Sequence, residues 1–242
     1  MTDTIDVRPA ASRFHTEISW LDSWHSFSFS EHYDPRNTHH GLLLVHNDDV
    51  ILGGGAFGTH PHRDMEIVTW VLDGALEHRD SEGNHGIISR NIAQRMSAGR
   101  GIRHSESNAS ASETVHLLQM WVPPDTNGLD PGYEQRDISG DIKDDEAFPL
   151  ASSRERDAAI TIHQRDATLW ITRLSAGAAG PIPDAPFVHV FVARGEADVD
   201  GAGPLQTGDA ARLTGAGART ATAGNAGAEL VVWETYAELR LT

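Results

Sequence analysis

A chain of 242 residues with 39% apolar content is long enough for two modest domains or one large β unit around a packed core. It has no cysteine, which excludes a disulfide framework, thiolate metal ligation and thiol catalysis. Nineteen basic against thirty-five acidic residues give a formal charge of −16, which argues against a protein that tracks nucleic-acid phosphates.

The opening MTDTIDVRPAASRF has no apolar signal-peptide core and no later run reaches transmembrane length, so a cytoplasmic protein without membrane contact is expected. Phe14 to Phe29 alternates in places and carries Trp20, Trp24, Phe27 and Phe29, with Leu21-Asp22-Ser23 as a turn. It reads as opening strands that feed aromatic rings to a core, with His25 and His32 as core or surface residues. His39-His40 reads as solvated, and Gly41 to His46 as a strand that ends at Asn47-Asp48-Asp49.

The chemistry concentrates between Gly53 and Asn108. Side chains at i and i+2 of a strand leave the same face, so His60 and His62 can aim at one point, as can His104 and Glu106. Between the pairs lie Trp70, Val71 and Leu72 and then Asp73-Gly74, a dipeptide that joins adjacent strands. Glu77-His78-Arg79-Asp80 continues the return strand, where His78 either points into the barrel near the site or, the preferred reading, is a hydrogen-bonded structural histidine. Met96 to Gly101 is a glycine-rich approach whose backbone freedom lets the next strand come close, so replacing Gly101 should misplace His104. Three imidazoles and a carboxylate suit Fe, Mn, Ni, Cu or Zn. Four such ligands leave two neighbouring positions open on an octahedral ion, whereas tetrahedral zinc would close the site and make it structural.

Val115 to Val122 is a strong strand stopped by Pro123-Pro124; Met120 or Trp121 is a candidate to line a cavity for a planar ligand. From Gly132 to Arg156 the chain turns polar and acidic, as a crossover between halves with room for a short helix. Short β-type runs follow at 159–163, 169–174, 187–193, 196–199 and 229–234, separated by glycine-rich turns. His163 and His189 stand alone there, so the second half repeats the pattern of strands without the ligand pairs.

Gly54, His60-x-His62 and Gly74, followed by Gly101-x-x-His104-x-x-x-Asn108, resemble the cupin signature. Within the cupins, HPHRDMEIVTW, LEHRDSEGN, MSAGRGIRHSE and YEQR are similar to the pirin family, closest to its bacterial quercetinase-like members. WLDSWHSFSFSEHYDP fits as well, so the resemblance is strong over roughly the first 140 residues. It implies an all-β bicupin: two antiparallel β-barrels of the double-sheet jelly-roll type, with a metal-binding domain over 1–140 and a ligand-free cupin-like domain over 141–242. Where cupins usually take a carboxylate from the first motif this chain has Ile67, so Glu66 and Glu106 compete for the fourth ligand position. Glu106 shares a presumed strand with His104 and pirin-like proteins take their glutamate there, so Glu106 is assigned and Glu66 becomes a neighbouring residue that orients a histidine. Ser89-Arg90-Asn91-Ile92 replaces a glycine turn, and Asn tolerates the positive φ.

The resemblance implies one divalent transition metal, Fe(II) first, with Ni, Mn, Co, Cu or Zn as alternatives. Its implied reaction opens the central ring of a flavonol such as quercetin with O2 and releases CO, with Glu106 as base. A second reading is a metal- or redox-responsive protein that binds and regulates a protein partner.

Overall fold

All the ladders between strands are antiparallel. The computed structural model describes residues 3–239. Its first half holds β1 (Thr4–Arg8), β2 (Phe14–Ile18), β3 (Leu21–His25), β4 (Val45–Ile51), β5 (Ala56–His62) and β6 (Glu66–Asp73). It continues with β7 (Ala75–Asp80), β8 (His85–Ser89), β9 (Ile92–Ser97), β10 (Ile102–Asn108), β11 (Val115–Val122) and β12 (Gly132–Asp137). The second half holds β13 (Ala147–Ser152), β14 (Ala167–Leu174), β15 (Ala179–Ile182), β16 (Phe187–Val199), β17 (Gly203–Gln206), β18 (Ala210–Thr214) and β19 (Arg219–Thr235).

The first barrel closes a seven-stranded sheet, in the order β12-β9-β6-β11-β4-β3-β2, over a four-stranded sheet, β5-β10-β7-β8. The second is built on the long strands β16 and β19, with β1 at its edge against β18. The protein is therefore the all-β bicupin that the motifs imply, and its opening strand serves the far half.

The central strands of the seven-stranded sheet are buried on both faces, and this fixes where the site can lie. On β6 and β11 one set of alternating residues, Val68, Trp70, Leu72, Leu118, Met120 and Val122, joins Leu169, Phe191, Val231 and Trp233 in a core between the barrels. Trp70 Nε1 donates to Glu229 Oε1 at 2.9 Å across that seam, and Trp233 Nε1 donates to Met120 Sδ. The other set faces the interior of the first barrel.

Several expected boundaries move for this reason. Leu21-Asp22-Ser23 is not a turn but the start of β3, because Leu21, Ser23 and His25 all point inward; Ser19-Trp20 makes the turn. Asn47-Asp48-Asp49 does not end a strand but lies within β4, where Asp48 pairs with Arg13 at 2.8 Å and His116 at 2.6 Å. Asp73-Gly74 joins strands of different sheets, with Gly74 at φ 74 and its α-carbon packed against the Thr114 carbonyl, so it is a passage between layers. Asn91 takes φ 65, as the Ser89–Ile92 turn requires. Among the described residues 159–163 forms only an isolated bridge, 187–199 is one strand, and the crossover has no helix; the only helical turn is the 3-10 turn Ala10–Ser12.

His40 is not solvated. Its Nε2 donates to the Leu213 carbonyl at 3.1 Å, and burial pushes its pKa down to about 4. Beside it in the seam, His46 and His189 are wholly buried 5.2 Å apart, against Phe191 and Phe27, and no ring nitrogen of either has a partner. Burial lowers His46 to about 3 and His189 well below its ordinary value. Unfolded chains protonate such rings below about pH 6.5, so protons favour the unfolded state and stability falls as pH drops from there toward 4. Each ring contributes up to about 1.4 kcal/mol per pH unit over that window. Replacing His46 and His189 by Phe is expected to remove about a third of the loss of urea midpoint between about pH 7 and about pH 5, because burial lowers His25, His40, His62 and His104 as well; an unchanged loss would refute the assignment.

Candidate metal centre

β5 and β10 pair so that His104 lies opposite His60 and Ile102 opposite His62, which places all three imidazoles on one face. The ring centroids are 4.4 Å apart for His60 and His104, 4.8 Å for His62 and His104, and 4.9 Å for His60 and His62. A bulge follows: one residue of β10 lies between His104 and Glu106, while two of β5 lie between Phe57 and His60. The extra residue falls at Gly58-Thr59, and the Gly58 carbonyl accepts from His60 Nδ1 at 2.8 Å, leaving Nε2 of that ring free. His62 Nε2 and His104 Nε2 are buried without a partner. Donor atoms of the three rings lie within 4.8 Å of one another, and His104 and Glu106 form a second such group with His78.

Histidines must be neutral to ligate, and burial favours that form in two of the three. Burial, reinforced by the other two rings, brings His62 down to about 4, and burial with His60 and His78 nearby brings His104 down to about 3. The arrangement fits a divalent cation: three converging imidazole nitrogens with free lone pairs, and a carboxylate beside them.

Two hydrogen-bonded chains orient the donors. In the first, Asp80 Oδ2 accepts from His78 Nε2 at 3.2 Å, and His78 Nδ1 lies 3.4 Å from His104 Nδ1. Burial raises the Asp80 carboxyl, but hydrogen bonds from Asn84 and His78 outweigh it and hold it below the usual carboxylate range. An ionised Asp80 only accepts, so His78 carries its proton on Nε2. With His78 donating from Nε2, its Nδ1 is placed to accept, and a donating His104 Nδ1 turns the Nε2 lone pair of His104 toward His60 and His62. Tyr133 stacks on His78 at 4.9 Å, in space that Gly86 leaves open.

In the second chain Trp121 Nε1 donates to Gln119 Oε1 at 3.1 Å. Gln119 Nε2 then donates to both oxygens of Glu106, at 2.8 and 3.1 Å. The indole can only donate, so it fixes which end of the amide faces the carboxylate.

The expected neighbours divide. His78 sits against His104 as described. Glu66 does not orient a histidine of the cluster: buried at the edge of the barrel, its Oε2 accepts from Ser97 Oγ at 2.7 Å and from the His163 backbone N–H at 3.0 Å. Met120 lies on the opposite face of β11, in the core between barrels, so the cavity is lined instead by Gln119 and Trp121. Gln119 and Asp80 were missed by sequence reasoning; a lone Gln in an apolar strand, two residues before a Trp, was the available signal for the first.

A cavity of about 310 Å³ opens beside the three rings. Its walls include Leu21, Phe29, Phe57 and Trp121, and His60, His62 and Glu106 form one side.

Two antiparallel barrels with a three-histidine cluster inside the first define a bicupin with a candidate metal site. The chain belongs to the pirin family: the Pirin profile matches residues 6–122, and that of the quercetinase C-terminal cupin domain matches residues 149–234. A Mycobacterium tuberculosis protein provisionally named a quercetin 2,3-dioxygenase is 52% identical over 240 residues, 99% of this chain and 98% of that protein. The quercetin 2,3-dioxygenase of Escherichia coli K12 is 49% identical over 160 residues, 66% of this chain and 68% of that one. The crystal structure of the Escherichia coli bacterial pirin YhhW in complex with nickel(II) superposes with a TM-score of 0.89 at 36% identity, covering 98% of this chain and all of that one. No helix among the described residues is long and apolar enough to cross a membrane.

If Asp80 and His78 set the His104 tautomer, His78→Phe and Asp80→Ala should weaken divalent-metal binding about 10- to 100-fold while leaving the fold intact. Chelator competition measures this, and an affinity within about twofold of the parent would rule it out.

Proposed function

We propose that this chain is a metal-dependent dioxygenase of pirin type that opens the central ring of a flavonol such as quercetin with O2 and releases CO. In this reading His60, His62, His104 and Glu106 hold one divalent transition metal, Fe(II) first, with nickel, manganese, cobalt, copper or zinc as alternatives. The observation that carries the reading is the cluster itself: donor atoms of three imidazoles within 4.8 Å, with a carboxylate alongside, on the wall of a cavity. A cavity with apolar walls beside the ligand set favours a small-molecule reaction over the protein-binding alternative. The names of the relatives support flavonol as the substrate class.

When bound, the ion supplies Lewis acidity, which lowers the pKa of a ligated hydroxyl, and positions the substrate next to O2. The protein's share is orientation and proton handling. The apolar walls of Phe29, Phe57 and Trp121 take a flat aromatic body and exclude water from it. Glu106 is the base for the flavonol 3-hydroxyl, through Oε1, the oxygen held less closely by Gln119. Gln119 and Trp121 keep that carboxylate aimed during the transfer.

Metal-loaded protein is expected to bleach the near-visible absorbance of quercetin only when oxygen is present. His104→Ala should lose metal and lower turnover by about two orders of magnitude or more. Absence of turnover with every one of Fe, Mn, Ni, Co and Cu would overturn the proposal, as would unchanged metal content in the variant.

A further inference from the structure

The cavity has a second polar surface that the chemistry above does not use. It lies on the seven-stranded sheet, away from the histidines of β5 and β10. Cross-strand register sets out two rungs: Gln119, Asn47 and His25 lie side by side on β11, β4 and β3, and Asp49, Ser23 and Thr16 on β4, β3 and β2. Asn47, Asp49, Ser23 and His25 are all at least nine-tenths buried, yet each lines the cavity.

These side chains are only partly satisfied by one another. His25 Nδ1 is 2.9 Å from Asn47 Oδ1 and its Nε2 is 3.0 Å from Thr16 Oγ1, while Ser23 Oγ donates to Asp49 Oδ1. Among the described residues neither Asn47 Nδ2 nor Asp49 Oδ2 takes part in a hydrogen bond. One donor and one carboxyl oxygen, on the same strand and the same face, are thus left for something in the cavity. Buried polar groups are costly without partners, and an apolar cavity could have been walled here with Val or Leu. Burial, the first cause, and the nearby Asp48 and Glu106 carboxylates push Asp49 up to about 7, so it exchanges between accepting and donating near neutral pH.

Spacing indicates what fits. Neighbouring strands are about 4.8 Å apart, so Asn47, one strand from Gln119, stands roughly 5 Å from the residue that holds Glu106, and His25, two strands away, roughly 10 Å. A planar aromatic of two or three rings spans such a distance.

We propose that Asn47 and Asp49 form a recognition wall for phenolic hydroxyls on the end of the substrate that faces the seven-stranded sheet, across the cavity from the histidines of β5 and β10. A hydroxyl there accepts from Asn47 Nδ2 and shares its proton with Asp49 Oδ2, so the cavity selects planar aromatics hydroxylated at both ends. This rests on the flavonol reading of the same site and adds the substrate's orientation: the chelating end toward the cluster, the pendant ring toward β4 and β3.

Quercetin and galangin test it, because they share the 3-hydroxyl and 4-oxo groups and differ only in two hydroxyls on the pendant ring. Dissociation constants are measured without oxygen on the full-length protein and on Asn47→Leu and Asp49→Asn, with circular dichroism as the check on folding. The parent is expected to bind quercetin at least about tenfold more tightly than galangin. Each variant should narrow that ratio to about threefold or less, with galangin affinity held within about twofold. A ratio unchanged in both variants overturns the wall, and so does an equal loss for the two ligands, which would assign these residues to cavity shape. Failure of both ligands to bind the parent would instead strike at the flavonol reading and remove the wall with it.

Discussion

The pairing of β5 with β10 is the constraint on which the site depends. In an antiparallel ladder, residues directly opposite share a face, and so do their neighbours two positions along. The register that sets His104 against His60 and Ile102 against His62 therefore brings together residues more than forty positions apart in the chain. A slip by one residue would send the histidines of one strand to the outside. The bulge at Gly58-Thr59 then performs two tasks within one distortion: it resets the phase before Glu106 and supplies the carbonyl that ties down His60.

Holding that register requires a stiff partner sheet, and the second barrel provides its support. With Trp70, Leu118 and Met120 packed against Leu169, Val231 and Trp233, the seven-stranded sheet is clamped from outside by apolar contact. Its inner face can then carry Gln119, Asn47, Asp49 and His25, residues that contribute little packing of their own. Glu229 reinforces the clamp, accepting from Trp70 and Arg90, with Arg173 3.4 Å away. A cupin half without converging ligands thus still serves the site, as the wall against which the working sheet is pressed.

The ligand pairs were legible in the sequence because their spacing, i and i+2, has one meaning on a strand, and the glycine-rich turns marked where those strands began. The sheet's parity was not. On an edge strand with one wet face, apolar and polar residues alternate and the inside is evident; on β11 both faces are buried, so Met120 and Trp121 look equally eligible for a pocket. Only contact with the second barrel shows that the odd-numbered positions face the cavity. The same blindness made Asn47-Asp48-Asp49 look like the end of a strand. Consecutive polar residues usually mean solvent, and here Asp48 is paired on one face while Asn47 and Asp49 line a cavity on the other. Asp80 was hidden for a different reason: it sits two residues from His78 on β7, but its role lies in passing that contact on to His104 of β10, and no spacing rule in the sequence links β7 to β10.

Burial alone does not distinguish the two places where this protein leaves imidazole nitrogens unpartnered. In the seam, His46 and His189 are as deeply buried as His104, and burial depresses their pKa as strongly. The difference lies in convergence and company. The seam pair is flanked by Phe27 and Phe191, and among the described residues no third ligand-bearing side chain comes within reach. The cluster in the first barrel adds a third ring and a carboxylate, each braced by its own hydrogen bond: Gly58 on His60, His78 on His104 and Gln119 on Glu106. Bracing of that kind orders side chains in advance, so a cation meeting them loses little free energy to ordering, whereas the seam rings are fixed only by packing. What distinguishes the chemical site is thus the set of hydrogen bonds behind the histidines, more than the histidines themselves.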